Sequence, residues 1–166
     1  LYGQTFHCWK EKGHGFVSLK NAMKQSCDTY FYEVARQLGV DRLNVTAKKF
    51  GLGEKVLGKY FDNEKRGLFP NTNWKKNTLG KGWVLGETLI TGIGQGYTQT
   101  TPLQLCLMTA QIANGGYKIK PKIIVNNDPL SLEEAKKSMD LQSAQKPNTR
   151  LFSDPKNIKI VQEAIF

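Results

Sequence analysis

The chain is poor in cysteine and has no long hydrophobic run. Its three cysteines, Cys8, Cys27 and Cys106, lack the paired CxxC spacing that zinc ribbons and redox motifs require. Their odd number argues against a disulfide framework, and the apolar helical patterns around Cys27 and Cys106 predict that both thiols are buried. Because no segment approaches the ~20 apolar residues of a membrane-spanning helix, we expect the chain itself to be soluble.

Histidine is also scarce, and nucleotide-binding glycine motifs are missing. His7, Cys8 and His14 could bind a metal ion only if the fold brought a further donor to them. The glycines at 92, 94 and 96 are not followed by Gly-Lys-Ser/Thr, and they do not fit G-x-G-x-x-G. We therefore predict no metal and no cofactor.

Acidic residues are too few to balance the basic ones, which gives a formal net charge of +10. Nine basic residues between Lys48 and Lys81 are mixed with aromatic residues, a pattern that can bind single-stranded nucleic acid. However, only 4 of the 24 basic residues are arginine, the residue that phosphate recognition favours. We predict a solvated basic surface and no nucleic-acid partner, with a non-enzymatic basic binding module as an alternative.

A polar tripeptide, Ser26-Cys27-Asp28, interrupts the helical spacing of apolar residues between positions 15 and 38. This pattern predicts two short helices or one interrupted helix. Taken alone, it favours Ser26 or Asp28 as the N-cap of the second helix, since both side chains can accept from free backbone N–H groups. A break of this kind is also where side chains can face a cleft, and we predict that Ser26 and Asp28 do so while Cys27 points elsewhere.

Further along, apolar spacing and glycine positions outline the remaining elements of one core of ordinary domain size. Thr101 and Pro102 are typical of a helix start, with Leu103, Leu107 and Ala110 forming one buried stripe. The other predictions are a helix over 40–50, an irregular excursion over 52–86, a strand over 117–125, a mobile polar loop over 126–150, and a last helix over 153–166 with Ile158, Val161 and Ile165 on one face.

Ten short motifs also occur in a specific order. They are His7-Cys8-Trp9-Lys10, Gly13-His14-Gly15, Ser26-Cys27-Asp28-Thr29-Tyr30-Phe31-Tyr32, Leu38-Gly39-Val40-Asp41-Arg42, Phe50-Gly51-Leu52-Gly53, Trp74-Lys75, Gly86-Glu87-Thr88, Ile93-Gly94-Gln95-Gly96-Tyr97, Thr101-Pro102-Leu103-Gln104 and Ala113-Asn114-Gly115-Gly116. In this order they resemble the transpeptidase domain of class B penicillin-binding proteins, and within these the elongation-type branch. The resemblance is strongest over 1–121, and 157–166 resembles the helix before the last active-site strand.

The resemblance implies an α+β fold, the penicillin-binding protein/β-lactamase-like antiparallel sheet flanked by helices. Residues 1–166 would be an internal fragment of one such domain, mainly helical with long irregular loops. The implied activity is that of a peptidoglycan D,D-transpeptidase, which cross-links stem peptides by serine acyl transfer and binds β-lactam antibiotics. The implied parent is anchored in the bacterial inner membrane, has a periplasmic catalytic domain and works with cell-elongation proteins.

Only the middle one of the family's three active-site motifs is present, and it places catalytic roles on Ser26 and Asp28. The chain has no Lys-Thr-Gly or Lys-Ser-Gly. Two matches to Ser-x-x-Lys, Ser143 to Lys146 and Ser153 to Lys156, follow Ser26 instead of preceding it, and we interpret both as accidental. The nucleophile is therefore expected upstream of Leu1, and the chain alone is expected to be inactive.

The resemblance leaves one other enzyme class open, a β-lactam-hydrolysing or β-lactam-sensing relative on the same fold. The elongation-type motifs favour the transpeptidase. In that reaction Ser26 would pass a proton between the motif lysine and the leaving nitrogen, since a hydroxyl both donates and accepts. Asp28 would hydrogen-bond that lysine or orient the stem peptide.

Overall fold

The computed structural model describes residues 5–57, 61–121 and 149–165, and these residues form seven helices. The helices are α1 (Leu19–Lys24), α2 (Asp28–Leu38), α3 (Val40–Lys49), α4 (Thr72–Leu79), α5 (Leu85–Gly92), α6 (Pro102–Ala113) and α7 (Pro155–Ile165). Within the same ranges, the extended segments pair only in two isolated antiparallel bridges, Leu68 with Gln99 and Tyr117 with Arg150. None of these helices combines the length and the apolar character needed to cross a bilayer. The predicted mainly helical character is confirmed.

The centre of the fold is the packing of α2 on α5, with α3 against both. Ala35 of α2 is buried to 1% exposure, and a Cβ added at Gly92 of α5 would collide with its side chain. Two small residues therefore let the helix backbones approach closely. Because α2 also begins at the polar tripeptide, this packing fixes the position of the turn before it.

Gly39 separates α2 from α3 and confirms the predicted break after Leu38. Its φ of 76° lies in the region that glycine adopts without strain. The next helix ends at Lys49 with Phe50 as its C-cap, which agrees with the predicted stop at Gly51. Val40 and Ala47 point into the core from this helix.

The predicted irregular excursion over 52–86 is wrong, because it contains α4 and the first residues of α5. The start of α4 is defined by a cap: Asn71 Oδ1 accepts a hydrogen bond from the Trp74 N–H at 2.7 Å. Lys75 is the buried residue of this helix, so α4 shows no apolar stripe. Helices of eight residues with a polar buried face give no periodic signal for sequence inspection to detect.

The helix predicted at Thr101-Pro102 is confirmed as α6. Thr101 is its N-cap and forms a reciprocal capping box with Gln104, while Pro102 occupies the first turn. The predicted buried stripe needs correction, since the buried residues are Gln104, Leu107 and Gln111. Leu103 and Ala110 are only half-buried.

The two buried glutamines of α6 hold irregular segments in place. Gln104 Nε2 donates to the carbonyls of Glu54 and Arg66, both at 2.8 Å. Gln111 Nε2 donates to the Phe50 carbonyl at 3.1 Å. Buried amide groups must find partners, so these contacts also specify where the loop after α3 runs.

Leu107 provides a direct test of this core. It is 7% exposed, and Leu107→Ala is expected to lower the free energy of unfolding by about 2–5 kcal/mol, because a buried leucine is replaced by a cavity. Leu105 of the same helix is 44% exposed, and Leu105→Ala should cost below about 0.5 kcal/mol. Denaturant unfolding of both variants measures the difference, and equal losses would contradict the assignment of the buried face.

The last helix, α7, packs on α1 and α6. Its predicted face is correct at Ile158, which is buried, but wrong at Ile165, which is 54% exposed. Ala164 takes the buried position. Of the predicted strand over 117–125, the described residues 117–121 show only the bridge from Tyr117. Residues 122–125 and 126–148 of the predicted strand and loop lie outside the described residues.

Candidate functional site

The Ser26-Cys27-Asp28 tripeptide forms a turn between α1 and α2, and the prediction of two helices separated at this point is confirmed. Ser26 is exposed and has a φ of 48°, a left-handed conformation that is unusual for a residue with a side chain. Cys27 is buried at 3% exposure, as predicted. The backbone thus turns sharply at Ser26, placing its side chain outside and the next one inside.

The interpretation of Ser26 or Asp28 as the N-cap of α2 is wrong. The N-cap is Cys27, and it makes no side-chain capping hydrogen bond. Ser26 lies one position too early, and Asp28 is already the first helical residue, where its negative charge is favourable for the helix dipole. Neither side chain is used as a cap, and this removes the structural explanation that the sequence had favoured.

Trp9 connects a preceding loop to this turn. Its backbone N–H donates to Asp28 Oδ2 at 3.0 Å, and its indole N–H donates to the Ser26 carbonyl at 2.9 Å and to the Gln25 carbonyl at 3.2 Å. The ring also lies edge-on to His14, with centroids 5.6 Å apart. These contacts hold the Asp28 carboxylate and the backbone of the turn in one orientation.

Chemically, the turn offers an exposed hydroxyl beside an oriented carboxylate. The Ser26 hydroxyl can both donate and accept a hydrogen bond. Asp28 is half-buried, and its second oxygen remains a strong acceptor for a cation or an N–H group. Such a pair can pass a proton and hold a charged partner, although it contains no activated nucleophile.

The structure also brings together Cys8, His14 and Cys27, whose donor atoms all lie within 4.8 Å of one another. Cys8 Sγ is 3.4 Å from His14 Nδ1. The sequence had placed His7 with Cys8 and His14, but His7 is exposed and outside this cluster. Cys27 is the donor that sequence inspection missed, since it is 19 residues from Cys8 and only the turn brings it close.

The electrostatic surroundings of Cys8 favour its thiolate. Burial and the nearby Asp28 carboxylate raise the pKa of the Cys8 thiol, but backbone N–H groups of Lys10, Asp28 and Thr29 outweigh both and leave the pKa below its ordinary value. Two of these N–H groups belong to the first turn of α2. A helix N-terminus stabilises a nearby thiolate for the same reason that it binds anions.

Two thiolates and an imidazole are typical zinc ligands, and water can fill the fourth position. The prediction of no metal, made from residue spacing alone, is therefore revised, and we expect the protein to bind one Zn²⁺ at this cluster. Cys8→Ser and His14→Ala each remove a direct ligand. Each should lower the affinity for Zn²⁺ by more than the about 10–100-fold that is lost when a residue that only orients a ligand is replaced. His7→Ala is the matched control and should leave the affinity unchanged. Competition with a chromogenic chelator measures it, and equal affinities in all variants would contradict the ligand assignment.

A second buried polar group joins two of the family-like motifs, Trp74-Lys75 and Gly86-Glu87-Thr88. The Lys75 ammonium, 6% exposed, donates to Glu87 Oε1, which also accepts from Tyr97 Oη at 3.2 Å. Glu87 Oε2 accepts from the Val84 N–H at 3.0 Å. Burial raises the pKa of Glu87, but the Lys75 ammonium and these other donors hold it below its ordinary value. The pair therefore fastens α4 to α5.

Two other sequence predictions can be compared with the structure. Cys106 is exposed on α6, so the prediction of a buried thiol is wrong there. Ser153 is exposed just before α7, and the Lys156 N–H donates to Asp154 Oδ1, which is a helix-start arrangement. The interpretation of this Ser-x-x-Lys match as accidental stays a prediction. The match from Ser143 to Lys146 lies outside the described residues.

The fold and the turn between α1 and α2 are those of a known class of protein. The model of the penicillin binding protein transpeptidase domain matches residues 1–165, and the chain belongs to this family.

Individual relatives place it more narrowly. The chain is 44% identical over 119 residues to peptidoglycan D,D-transpeptidase MrdA of Acinetobacter baumannii, which covers 72% of this chain and 18% of the relative. The crystal structure of Pseudomonas aeruginosa PBP2 in complex with WCK 5153 superposes with a TM-score of 0.77 at 37% identity, over 99% of this chain and 35% of that one. A complex of PBP2 and MreC from Helicobacter pylori gives 0.78 at 30% identity, over 98% and 27%. The resemblance to elongation-type penicillin-binding protein 2 and the predicted fold class are confirmed.

The chain spans less than a fifth of the A. baumannii relative and about a third of the P. aeruginosa PBP2 chain. The roles of Ser26 and Asp28, the position of the nucleophile and the division of the domain stay predictions.

Proposed function

We propose that this chain is part of a peptidoglycan D,D-transpeptidase that cross-links stem peptides by serine acyl transfer and is acylated by penicillins. The longer protein to which it belongs is called the parent protein below. The observation that carries the proposal is the exposed Ser26 at a sharp turn between α1 and α2, in a chain that the transpeptidase domain model covers over residues 1–165.

Ser26 and Asp28 of the turn each have a role in this reaction. A serine upstream of Leu1, in a Ser-x-x-Lys motif, attacks the penultimate D-Ala carbonyl of one stem peptide, and the motif lysine takes its proton. The Ser26 hydroxyl passes a proton from that lysine to the departing D-Ala nitrogen. Asp28, oriented by the Trp9 N–H, hydrogen-bonds the lysine or the incoming stem peptide. Trp9 and α2 hold both groups still.

The location and partners of the parent protein follow from the same proposal. The A. baumannii relative is named a peptidoglycan D,D-transpeptidase, and one of the matched structures is a complex of PBP2 with MreC. We propose a catalytic domain on the outer side of the bacterial inner membrane, with stem peptides as substrates, β-lactam antibiotics as inhibitors and a cell-elongation protein as partner. Co-purification of the parent protein with such a partner tests the last point.

Release of D-Ala tests the proposed activity. The purified parent protein, supplied with lipid-linked glycan strands that carry pentapeptide stems, should release D-Ala and form cross-linked dimers. A penicillin should abolish both products. If the parent protein instead hydrolyses the penicillin with many turnovers and forms no cross-links, the β-lactam-hydrolysing alternative is correct.

A further inference from the structure

Cys8 and Cys27 are close to each other and take no part in the chemistry assigned to Ser26 and Asp28. Their Sγ atoms lie within 4.8 Å, whereas the sulfurs of a disulfide are ~2.05 Å apart. We propose that these two residues form a reversible disulfide when no metal ion is bound to their sulfurs. The bond joins the loop that contains Cys8 and Trp9 to the turn before α2.

The two cysteines differ in burial and in local backbone structure in a way that permits a bond between them. Cys27 is buried and fixed as the N-cap of α2. Cys8 is half-buried and lies in a segment without regular structure, so a change of its rotamer and a small loop shift can bring its sulfur inward. The adjacent Trp9 already hydrogen-bonds the turn through three contacts. The loop is therefore held near Cys27 before any bond forms.

Access of an oxidant favours Cys8 as the first of the two cysteines to react. A small disulfide reaches half-buried Cys8 more readily than Cys27, which is 3% exposed. Cys106, the remaining cysteine of the chain, is exposed on α6 and is not a member of the cluster. A mixed disulfide at Cys8 has a nearby cysteine to resolve it, whereas the cluster offers none to Cys106.

The oxidant is a low-molecular-weight disulfide, such as oxidised glutathione. The Cys8 thiolate attacks one sulfur of the oxidant, the oxidant's S–S bond breaks, and one glutathione leaves and is protonated. The Cys27 thiolate then attacks Cys8 Sγ, the bond to glutathione breaks, and a second glutathione leaves and is protonated. Two cysteine thiols lose two protons and two electrons in total, and the oxidant is reduced to two thiols.

Whether this oxidation occurs in the cell rests on the proposed location of the domain outside the cytoplasm, where disulfides persist. The bond itself does not depend on the transpeptidase activity. Failure of the D-Ala assay and failure of disulfide formation are therefore separate results.

Peptide mapping of the parent protein tests the proposal. The protein is treated with EDTA, incubated with oxidised glutathione, alkylated, and digested with trypsin without reduction. The expected product is a linked pair, the peptide ending at Lys10 and the peptide Gln25 to Arg36, about 2 Da lighter than their sum and separated by dithiothreitol. It should be at least about tenfold more abundant than any linked pair that contains Cys106.

Cys8→Ser should abolish this pair, and Cys106→Ser is the matched control that should leave its yield unchanged. Glutathione that stays on Cys8 of the wild-type protein, without any linked pair, would overturn the proposal. So would a predominant pair through Cys106. The wild-type measurement decides the question even if Cys8→Ser folds poorly.

Discussion

Replacing Ser26 with alanine is expected to slow acylation of the parent protein by a fluorescent penicillin about 100-fold or more. A positioned proton-transfer group contributes on the order of 10²–10⁴-fold to such reactions, and Ser26→Ala removes the hydroxyl that we propose as the proton carrier. The rate of covalent labelling at saturating penicillin measures the effect. Stability should change little, because alanine at a φ of 48° has about the same backbone cost as serine.

Ser26→Gly distinguishes the effect of losing the hydroxyl from the effect of backbone strain at this position. Glycine adopts the left-handed conformation of this turn without strain, so the variant should be at least as stable as the wild type. It lacks the same hydroxyl and should be labelled as slowly as Ser26→Ala. If the Ser26→Gly variant is labelled by the penicillin at the wild-type rate, Ser26 only shapes the turn and has no role in proton transfer.

The second large effect is expected at the buried ion pair. Lys75→Met should lower the free energy of unfolding by about 3–5 kcal/mol, because it leaves the Glu87 carboxylate in a partly buried position without its cation. Lys76, the next residue in α4, is exposed, and Lys76→Met should cost below about 0.5 kcal/mol. Denaturant unfolding at neutral pH compares the two variants.

The pH dependence of this effect has a defined sign. Because the pKa of Glu87 is lowered in the folded protein, its contribution to stability is present above the unfolded pKa of about 4.3 and is lost as the pH falls through the folded pKa. The difference between wild type and Lys75→Met should therefore shrink in acid. A difference that stays constant down to the acid limit of folding would show that Lys75 acts through packing alone.

Much of the fold follows from local signals in the sequence. Thr101 and Pro102 define the start of α6 because a side-chain cap and a restricted φ are properties of the residues themselves. Gly39 likewise marks the end of α2. The turn at Ser26 was predictable because the apolar period stops on both sides of a polar tripeptide.

The sequence could not reveal features that depend on long-range packing. Gln104 and Gln111 look like surface residues of α6, and only their contacts with loop carbonyls explain why they are buried. α4 shows no apolar periodicity because its buried residue is Lys75, and the sequence does not reveal that Lys75 pairs with Glu87 of another helix. Cys27 joins Cys8 and His14 only through the turn. The common cause is that the burial of a polar side chain depends on a hydrogen-bonding or charged partner, and the sequence alone does not identify that partner.

The most direct test of the central proposal is the mapping of a covalent penicillin adduct by mass spectrometry. In the parent protein we predict one acylated serine, in a Ser-x-x-Lys motif upstream of Leu1, and no adduct on the 166-residue chain treated alone. An adduct on Ser143 or Ser153 in either protein would contradict the proposed place of this chain in the active site.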